Sequence, residues 1–270
     1  MTRFQHAIVT GGSSGIGKET ARLLVRRGAS VTLLARRADV LDAARAELVP
    51  DCASPSQRVL AVPVDVADRD AVTSAIAHAE RAIGPCDLTI TSAGIAHPGY
   101  FAEVPIDVFE ETMRVNYLGT LYAVRAVLPG MRARGRGHVV LVSSGAGIVG
   151  IFGYAAYSPS KFALRGLAEV LRAELAQEAV RVSIVYPPDT DTPQLAAENL
   201  IKPAETRAIA AGAKVWRAED VARCILGGVD RNQFAITPGW EMTWLHRVHS
   251  VARPLLDWHF DRTAARVRKR

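Results

Sequence analysis

The sequence predicts an α/β fold in which helices cover both faces of a doubly wound, parallel sheet. Two observations predict it: short runs of β-type residues alternate with helix-length stretches, and each run is apolar almost throughout. Continuous hydrophobicity is typical of strands that are buried on both faces of a parallel sheet. The alternation favours right-handed crossovers that place helices on the two faces.

Seven apolar runs are predicted as strands, with helical patterns between them. In chain order the runs span 7–10, 30–35, 58–64, 88–91, 139–143, 181–186 and, as a final edge strand, 233–237. Helical patterns follow the first run through Arg27, the second run over 38–48 and the fourth run over 107–131. The segment 187–212 is rich in Pro, Asp and Thr and interrupts this rhythm, so we expect it to be a lid that covers a substrate.

Length and composition narrow the class of protein. The 270 residues, of which 49% are hydrophobic and 22% charged, suffice for one large domain. Cys52, Cys86 and Cys224 form no CxxC pair, so we expect no metal site and no disulfide framework, as in a reducing, cytoplasmic compartment. The first strand begins too early for a signal peptide, and no run of about 18 apolar residues predicts a spanning helix. The net charge is +6, but no motif in the sequence indicates binding to nucleic acid.

A glycine-rich turn follows the first strand and precedes a helix. It reads Thr10-Gly11-Gly12-Ser13-Ser14-Gly15-Ile16-Gly17, with the spacing GxxxGxG. Glycines allow backbone N–H groups to approach a pyrophosphate, and the following helix directs its positive end towards it. Because the turn lies between a strand and a helix, it predicts a dinucleotide site and not an ordinary loop. The expected cofactor contacts in this turn are Gly11, Ser13, Ser14, Gly15, Ile16 and Gly17.

The end of the second strand indicates which cofactor is bound. An acidic residue there accepts hydrogen bonds from an adenosine 2′-hydroxyl, whereas an arginine accommodates a 2′-phosphate. This chain has Arg36 and Arg37 there, and no acid before Asp39. A guanidinium group suits a phosphate, so we predict NADPH; the alternative is that both arginines only begin a solvated helix. Further expected contacts follow the third and fourth strands, namely Asp65 and Val66 beside the adenine and Ala93 and Gly94 beneath the ribose.

Tyr157 and Lys161 form a YxxxK pattern. On a helix, residues four apart share a face, so the Lys161 ammonium can lie beside the Tyr157 phenol. We expect this charge to lower the pKa of the phenol, which is about 10 when unperturbed. Tyr157 would then serve as a general acid or base near neutral pH. The pattern by itself also fits a surface helix.

Two polar residues support a catalytic interpretation of this pattern. Ser144 follows the fifth strand, at a sheet edge where sites gather, and its hydroxyl can hydrogen-bond a carbonyl oxygen. The neighbouring Ser143 competes for that role. Asn116 lies in the helical stretch 107–131, either as a capped or core amide or as an amide that holds a water in a proton path to Lys161.

In this order, TGxxxGxG, Asn116, Ser144 and YxxxK resemble the short-chain dehydrogenase/reductase family over roughly residues 6–240. The resemblance implies one Rossmann-type domain, here 1–240 with the lid included, a sheet of about seven strands, a nicotinamide cofactor and a homo-oligomer. It implies a catalytic tetrad of Asn116, Ser144, Tyr157 and Lys161. The cofactor contacts it adds are Tyr157, Lys161 on the nicotinamide ribose, Pro187, and Thr190 and Thr192 at the carboxamide. Thr91-Ser92 and Pro188 depart from the asparagines and the glycine that are usual in the family.

Part of the chain is similar to one group within this family, the reductases of 3-ketodihydrosphingosine. The similar stretches are 147–157, 160–169, 186–193, Glu198-Asn199 and 202–207. This similarity implies that the substrate is a long-chain ketosphingoid base whose 3-keto group is reduced with NADPH. Two other functions stay open: reduction of another hydrophobic ketone, such as a 3-oxoacyl thioester, a steroid or a retinoid, and a non-catalytic NADP(H)-binding scaffold.

Two carboxylates are candidates to bind such a substrate, which would carry a cationic amine next to its ketone. Asp189 and Asp191 lie just beyond the expected position of the nicotinamide and can face that amine. The alternative is that both acids only shape a turn through their own hydrogen bonds.

The C-terminal extension 241–270 is predicted as a basic, amphipathic helix. Its apolar residues recur near helical spacing, at Trp244, Leu245, Val248, Val251, Leu255 and Trp258, and it ends with Arg266, Arg268, Lys269 and Arg270. Such a helix can lie peripherally on the cytosolic face of a membrane, where cations meet anionic lipids. It can equally pack against its own domain or a second subunit.

Overall fold

The structure, a computed structural model that describes residues 4–268, alternates strands and helices along the chain. The strands are β1 (His6–Thr10), β2 (Ser30–Ala35), β3 (Val59–Pro63), β4 (Leu88–Thr91), β5 (Gly137–Val142), β6 (Val180–Val185), β7 (Thr190–Asp191), β8 (Trp216–Arg217) and β9 (Ala235–Ile236). The helices are α1 (Gly15–Arg26), α2 (Ala38–Leu48), α3 (Arg69–Ile83), α4 (Ile106–Met113), α5 (Gly119–Ala133), α6 (Tyr157–Glu174), α7 (Pro193–Ile201), α8 (Ala204–Ala210), α9 (Ala218–Asp230) and α10 (Trp240–Arg268).

One seven-stranded sheet organises the protein, in the order β3-β2-β1-β4-β5-β6-β9, and every pair in it is parallel. The doubly wound α/β fold and the predicted number of about seven strands in its parallel sheet are therefore confirmed. Strands β1 and β4 are neighbours in the sheet but not in the sequence, so the winding direction reverses between them. Ligands bind beyond the carboxyl ends of the strands at such a point.

Two hydrophobic layers hold the helices against the sheet. Helices α1, α2 and α9 cover one face through residues such as Leu24 and Ile225, which are almost completely buried. Helices α3, α5 and α6 cover the other face through residues such as Val124 and Leu164. Because both faces are covered, the strands between them are apolar throughout, as their sequence indicated.

The helical stretch predicted over 107–131 is interrupted. Helix α4 ends at Met113, a π-helical turn spans Arg114–Leu118, and α5 continues from Gly119. Asn116 lies in this wide turn and is fully buried, and its carbonyl accepts a 2.9 Å hydrogen bond from the Thr120 hydroxyl. Such turns frequently occur at functional sites.

The segment 187–212 is more regular than its composition predicted, because it contains β7, α7 and α8. The Thr192 side chain caps α7 by accepting from the N–H of Leu195 at 3.2 Å, and Pro193 occupies the first turn. The Thr206 hydroxyl donates to the Phe152 carbonyl at 2.9 Å and so fastens α8 to the body of the domain.

The C-terminal helix α10 packs along its own domain. Met242 is buried, Leu245 contacts the core beside it, and the helix also contacts α8. Leu245 points inwards, so part of this helix follows the predicted alternative in which it packs against its own domain. The large hydrophobic residues of α10 that are exposed to solvent are Trp240, Trp244, Val251, Leu255 and Trp258. None of the helices between residues 4 and 268 combines the length and hydropathy that crossing a bilayer requires; Lys269 and Arg270 of the predicted basic end lie outside the described residues.

Candidate active site

A cavity of about 630 Å³ lies at the carboxyl edge of the sheet, beneath α7. The residues predicted from the sequence that line it are Gly11, Ser13, Ser14, Ile16, Arg36, Arg37, Asp65, Val66, Ala93, Gly94, Ser144, Tyr157, Lys161, Pro187, Asp189, Thr190 and Thr192. Those that do not line it are Gly15, Gly17, Asn116 and Asp191. The fold thus brings together loops that follow six different strands, β1 to β6.

Close backbone packing explains the glycines of the turn after β1. Gly11 has a φ of +67°, and a Cβ added there would lie 2.7 Å from the backbone nitrogen of Ala93. A Cβ at Gly17 would collide with the carbonyl oxygen of Gly11. Gly17 and Gly15 therefore shape the turn from outside the cavity, while Gly11 lies at its wall.

The beginning of α1 fits a pyrophosphate. Its N-cap residue, Ser14, makes no side-chain capping bond, and the first turn contains no acidic residue. The first N–H groups of a helix lack partners within the helix and attract anions. Ser13, Ser14 and Ile16 place this end of the helix at the cavity wall.

Two arginines extend the positive end of the cavity. Arg36 and Arg37 follow β2, are exposed, and line the cavity. Within the described part of the chain, neither forms an ion pair. Asp65, by contrast, uses one oxygen to accept from the N–H of Ala67 at 2.9 Å. The residues present therefore fit a nicotinamide dinucleotide, with two free guanidinium groups at the adenosine end.

Tyr157 and Lys161 lie one turn apart at the beginning of α6, and the Lys161 Nζ is 5.5 Å from the centre of the Tyr157 ring. Lys161 is buried, and its ammonium donates to the carbonyl of Val142 at 3.1 Å. Gly94 lies beside it, since a Cβ added there would be 3.4 Å from the Lys161 Nζ. The amine therefore faces the loop after β4, where a ribose is expected.

The structure gives the two neighbouring serines different positions. The Ser143 hydroxyl donates to the backbone carbonyl of Lys161 at 3.0 Å. The Ser144 side chain accepts from the N–H of Ala146 at 3.1 Å, and its hydroxyl lies close enough to the Tyr157 phenol to lower the pKa of that phenol. Ser144 is therefore the serine that interacts with the phenol.

Asn116 reaches the site but does not line the cavity. Its amide accepts from the N–H of Ile95 at 2.8 Å and donates to the Ile95 carbonyl at 3.0 Å and to the Ser160 hydroxyl at 2.9 Å. These bonds fix the loop after β4 against α6. They favour the core amide over the water-holding amide, whose proton path to Lys161 stays a prediction.

Burial sets the protonation of Tyr157 and Lys161. Burial raises the pKa of the Tyr157 phenol above its usual range, the Glu198 charge adds to this, and hydrogen bonds from Ser144 and Gln194 partly oppose it. The sequence predicted a lowered pKa because it considered the ammonium alone and not the loss of solvent, and that direction is wrong. Burial also lowers the pKa of Lys161 to about 8, against the Glu198 charge. Tyr157 is therefore a protonated donor at neutral pH.

Sequence reasoning missed the role of a buried acid in α7. Glu198 is 7% exposed, lines the cavity, and accepts from the Tyr154 hydroxyl at 2.6 Å and from Gln194 Nε2 at 2.9 Å. Gln194 and Glu198 are four residues apart, a helical spacing that would have indicated a shared face if the segment had been predicted as helix.

The two carboxylates that were predicted to bind the substrate differ in their position relative to the cavity. Asp189 is exposed but lines the cavity, and its charge raises the pKa of Tyr157. Asp191 belongs to β7, is exposed and lies outside the cavity wall, which favours the alternative that it only shapes a turn; its role at the substrate stays a prediction. Thr190 lines the cavity and donates its hydroxyl to the Pro188 carbonyl at 2.8 Å.

Known proteins resemble this chain over most of its length. The sequence model of the short chain dehydrogenase family matches residues 5–201. A 3-dehydrosphinganine reductase of Danio rerio is 45% identical over 87% of this chain and 71% of its own length. A 3-ketodihydrosphingosine reductase of Bos taurus is 45% identical over 85% of this chain and 69% of its own length. One of Dictyostelium discoideum is 41% identical over 86% of this chain and 74% of its own length.

Solved structures show the same fold at low identity. A short chain dehydrogenase/reductase from Burkholderia phymatum, in complex with NAD, matches with a TM-score of 0.81 and 22% identity over 93% of this chain and 94% of its own. An alcohol dehydrogenase from Thermococcus sibiricus, complexed with 5-hydroxy-NADP, matches with a TM-score of 0.74 and 23% identity over 86% of this chain and 95% of its own. The glycine turn, the Ser144–Tyr157–Lys161 group and these matches agree, and the chain belongs to the short-chain dehydrogenase/reductase family.

Proposed function

We propose that this chain reduces the 3-keto group of 3-ketodihydrosphingosine to give dihydrosphingosine, with NADPH as the reductant. The observation that supports this most is the 45% identity to reductases of that name over 87% and 85% of this chain. A cavity that joins the protonated Tyr157 to a buried acid is compatible with an amino ketone. Arg36 and Arg37 line the cavity without an ion pair among the residues that the structure describes, which supports NADPH over NADH.

The chemistry of the proposed step follows from the positions of the side chains. A bound nicotinamide cofactor supplies the hydride. As negative charge develops on the ketone oxygen, Tyr157 and Ser144 donate hydrogen bonds to it, and Tyr157 transfers its proton. Lys161 lies close enough to the ring to stabilise the resulting phenolate, and an ammonium whose pKa is about 8 can return a proton. Burial of the pair strengthens these interactions, because water does not screen them.

Turnover of different ketones tests the substrate. Purified protein with NADPH should reduce 3-ketodihydrosphingosine with a kcat/KM at least about tenfold above that for a 3-oxoacyl thioester, a steroid ketone or retinal. The physical reason is that a buried carboxylate disfavours substrates that leave it without a cationic partner. A flat or reversed ranking would support the alternative, a reductase of another hydrophobic ketone.

We also propose that α10 touches a membrane surface peripherally, on the cytosolic side. Its outer side exposes Trp240, Trp244 and Trp258, and Arg262 stacks on Trp258 with its guanidinium carbon 5.1 Å from the ring centre. Aromatic residues beside cations are typical of interfacial helices. Co-sedimentation with anionic vesicles should fall when all three tryptophans are replaced by serine; unchanged binding would contradict the contact.

The homo-oligomer that the family resemblance implies stays a prediction, which a measurement of the protein's mass in solution checks.

A further inference from the structure

Glu198 is a buried carboxylate that the proposed proton transfer does not use. Both of its oxygens accept hydrogen bonds, one from the Tyr154 hydroxyl at 2.6 Å and one from Gln194 Nε2 at 2.9 Å. Burial raises the pKa of Tyr154, and the Glu198 charge raises it further, so this hydroxyl stays a donor. Each carboxylate oxygen has about two acceptor positions, so room for another donor remains on both.

No cation pairs directly with this carboxylate in the part of the chain that the structure describes, although the Lys161 ammonium senses its charge. Glu198 forms no ion pair there, although it is 7% exposed. Lys202 lines the same cavity four residues further on, but the two side chains are not paired. Burying a carboxylate with only neutral donors is costly, and a cation that enters the cavity recovers part of that cost.

The carboxylate lies close to the reacting groups. Gln194 donates to Glu198 at 2.9 Å and lies close enough to the Tyr157 phenol to lower its pKa, so a single side chain separates the acid from the proton donor. The rings of Tyr154 and Tyr157 are 5.7 Å apart, which places the hydroxyl that binds Glu198 on the neighbouring ring. A ketone that accepts a proton from Tyr157 therefore binds in the same cavity that Glu198 lines.

We propose that Glu198 is the specificity-determining residue that binds the ammonium group on the carbon next to the ketone. The inference rests on the proposed function, because it assigns a partner to the amine of the ketosphingoid base. Glu198 takes the role of binding the amine in place of Asp191, which lies outside the cavity. It is a better candidate than Asp189, which is exposed to solvent. An exposed carboxylate discriminates weakly, because water screens its charge.

A comparison of two ketones tests this assignment. The substrates are 3-ketodihydrosphingosine and 1-hydroxyoctadecan-3-one, which has the same chain without the amine. Glu198→Gln keeps the size of the side chain but removes its charge, so kcat/KM for the amino ketone should fall about 100-fold, mainly through KM. For the amine-free ketone the value should change less than about threefold, because no charge pair is lost.

Matched variants separate binding from structure. Glu198→Asp keeps the charge and should retain the preference for the amino ketone, even if its stability is lower. Asp191→Asn removes an exposed carboxylate outside the cavity and should behave like the unaltered protein with both ketones. Affinity for NADPH, measured by fluorescence titration, should be the same in all variants.

Three results would overturn the inference. Equal losses on both ketones in Glu198→Gln would make this residue a support for α7 only. If Asp189→Asn loses the preference for the amino ketone while Glu198→Gln keeps it, the amine binds Asp189 instead. If the unaltered protein reduces neither ketone, the proposed function itself is contradicted, and this outcome is distinguishable because the other two require activity.

Discussion

Tyr157→Phe is expected to lower kcat for the ketone about 1,000-fold, because it removes the proton that the developing alkoxide needs. The aromatic ring remains, so its contact with Tyr154, 5.7 Å away between ring centres, is kept. The affinity for NADPH should therefore change little. Steady-state kinetics combined with fluorescence titration of NADPH measures both quantities.

A matched control for this variant is Tyr122→Phe. Tyr122 lies in α5, packs partly against the core and does not line the cavity, so the same loss of one hydroxyl should leave kcat unchanged. If Tyr157→Phe retains full activity, Tyr157 is not the acid. If neither the unaltered protein nor the variant turns over any ketone while both bind NADPH, the non-catalytic scaffold is the better description.

Replacing both Arg36 and Arg37 by alanine is expected to weaken NADPH binding about 100-fold while changing NADH binding about twofold or less. A 2′-phosphate makes charge-assisted hydrogen bonds with guanidinium groups, and NADH lacks that phosphate. Both arginines line the cavity and are unpaired among residues 4–268, so their removal exposes no partner. Dissociation constants for the two nucleotides, measured at one salt concentration, give the ratio directly.

The neighbouring pair Arg26 and Arg27 provides the control. These residues pair with Asp51 and Asp230 at 3.0 Å and 2.9 Å, are largely exposed and do not line the cavity. Their double alanine variant removes the same net charge and should leave the NADPH to NADH ratio unchanged. Equal losses of both nucleotides in the Arg36 and Arg37 variant would contradict the assignment of a phosphate to this end of the cavity.

The sheet and the placement of Tyr157 beside Lys161 could be predicted from sequence because their signals are local. An apolar run such as Val139–Leu141 indicates a strand buried on both faces, and the four-residue spacing of Tyr157 and Lys161 places them on one side of a helix. The turn after β1 combines both kinds of signal, since its glycines lie between a strand and a helix.

Other features depend on contacts between distant segments and left no local signal. The π-helical turn at Asn116 differs from an α-helix by one residue in a single turn, too little to alter the hydrophobic period. The direction of the Tyr157 pKa depends on burial and on Glu198, which reaches the phenol only when α7 folds over the cavity. Likewise, Leu245 and Trp244 are adjacent in sequence, and only the docking of α10 makes the first internal and the second exposed.

Isotope transfer tests most directly the claim that this cavity performs ketone reduction on a sphingoid base. The protein is incubated with 3-ketodihydrosphingosine and, separately, with each of the two forms of NADPH that carry deuterium at C4 of the nicotinamide. The account predicts that one of the two forms yields dihydrosphingosine with a single deuterium at C3, and that Tyr157→Phe forms this product about 1,000-fold more slowly. Unlabelled product from both forms, or no dihydrosphingosine from either, would contradict it.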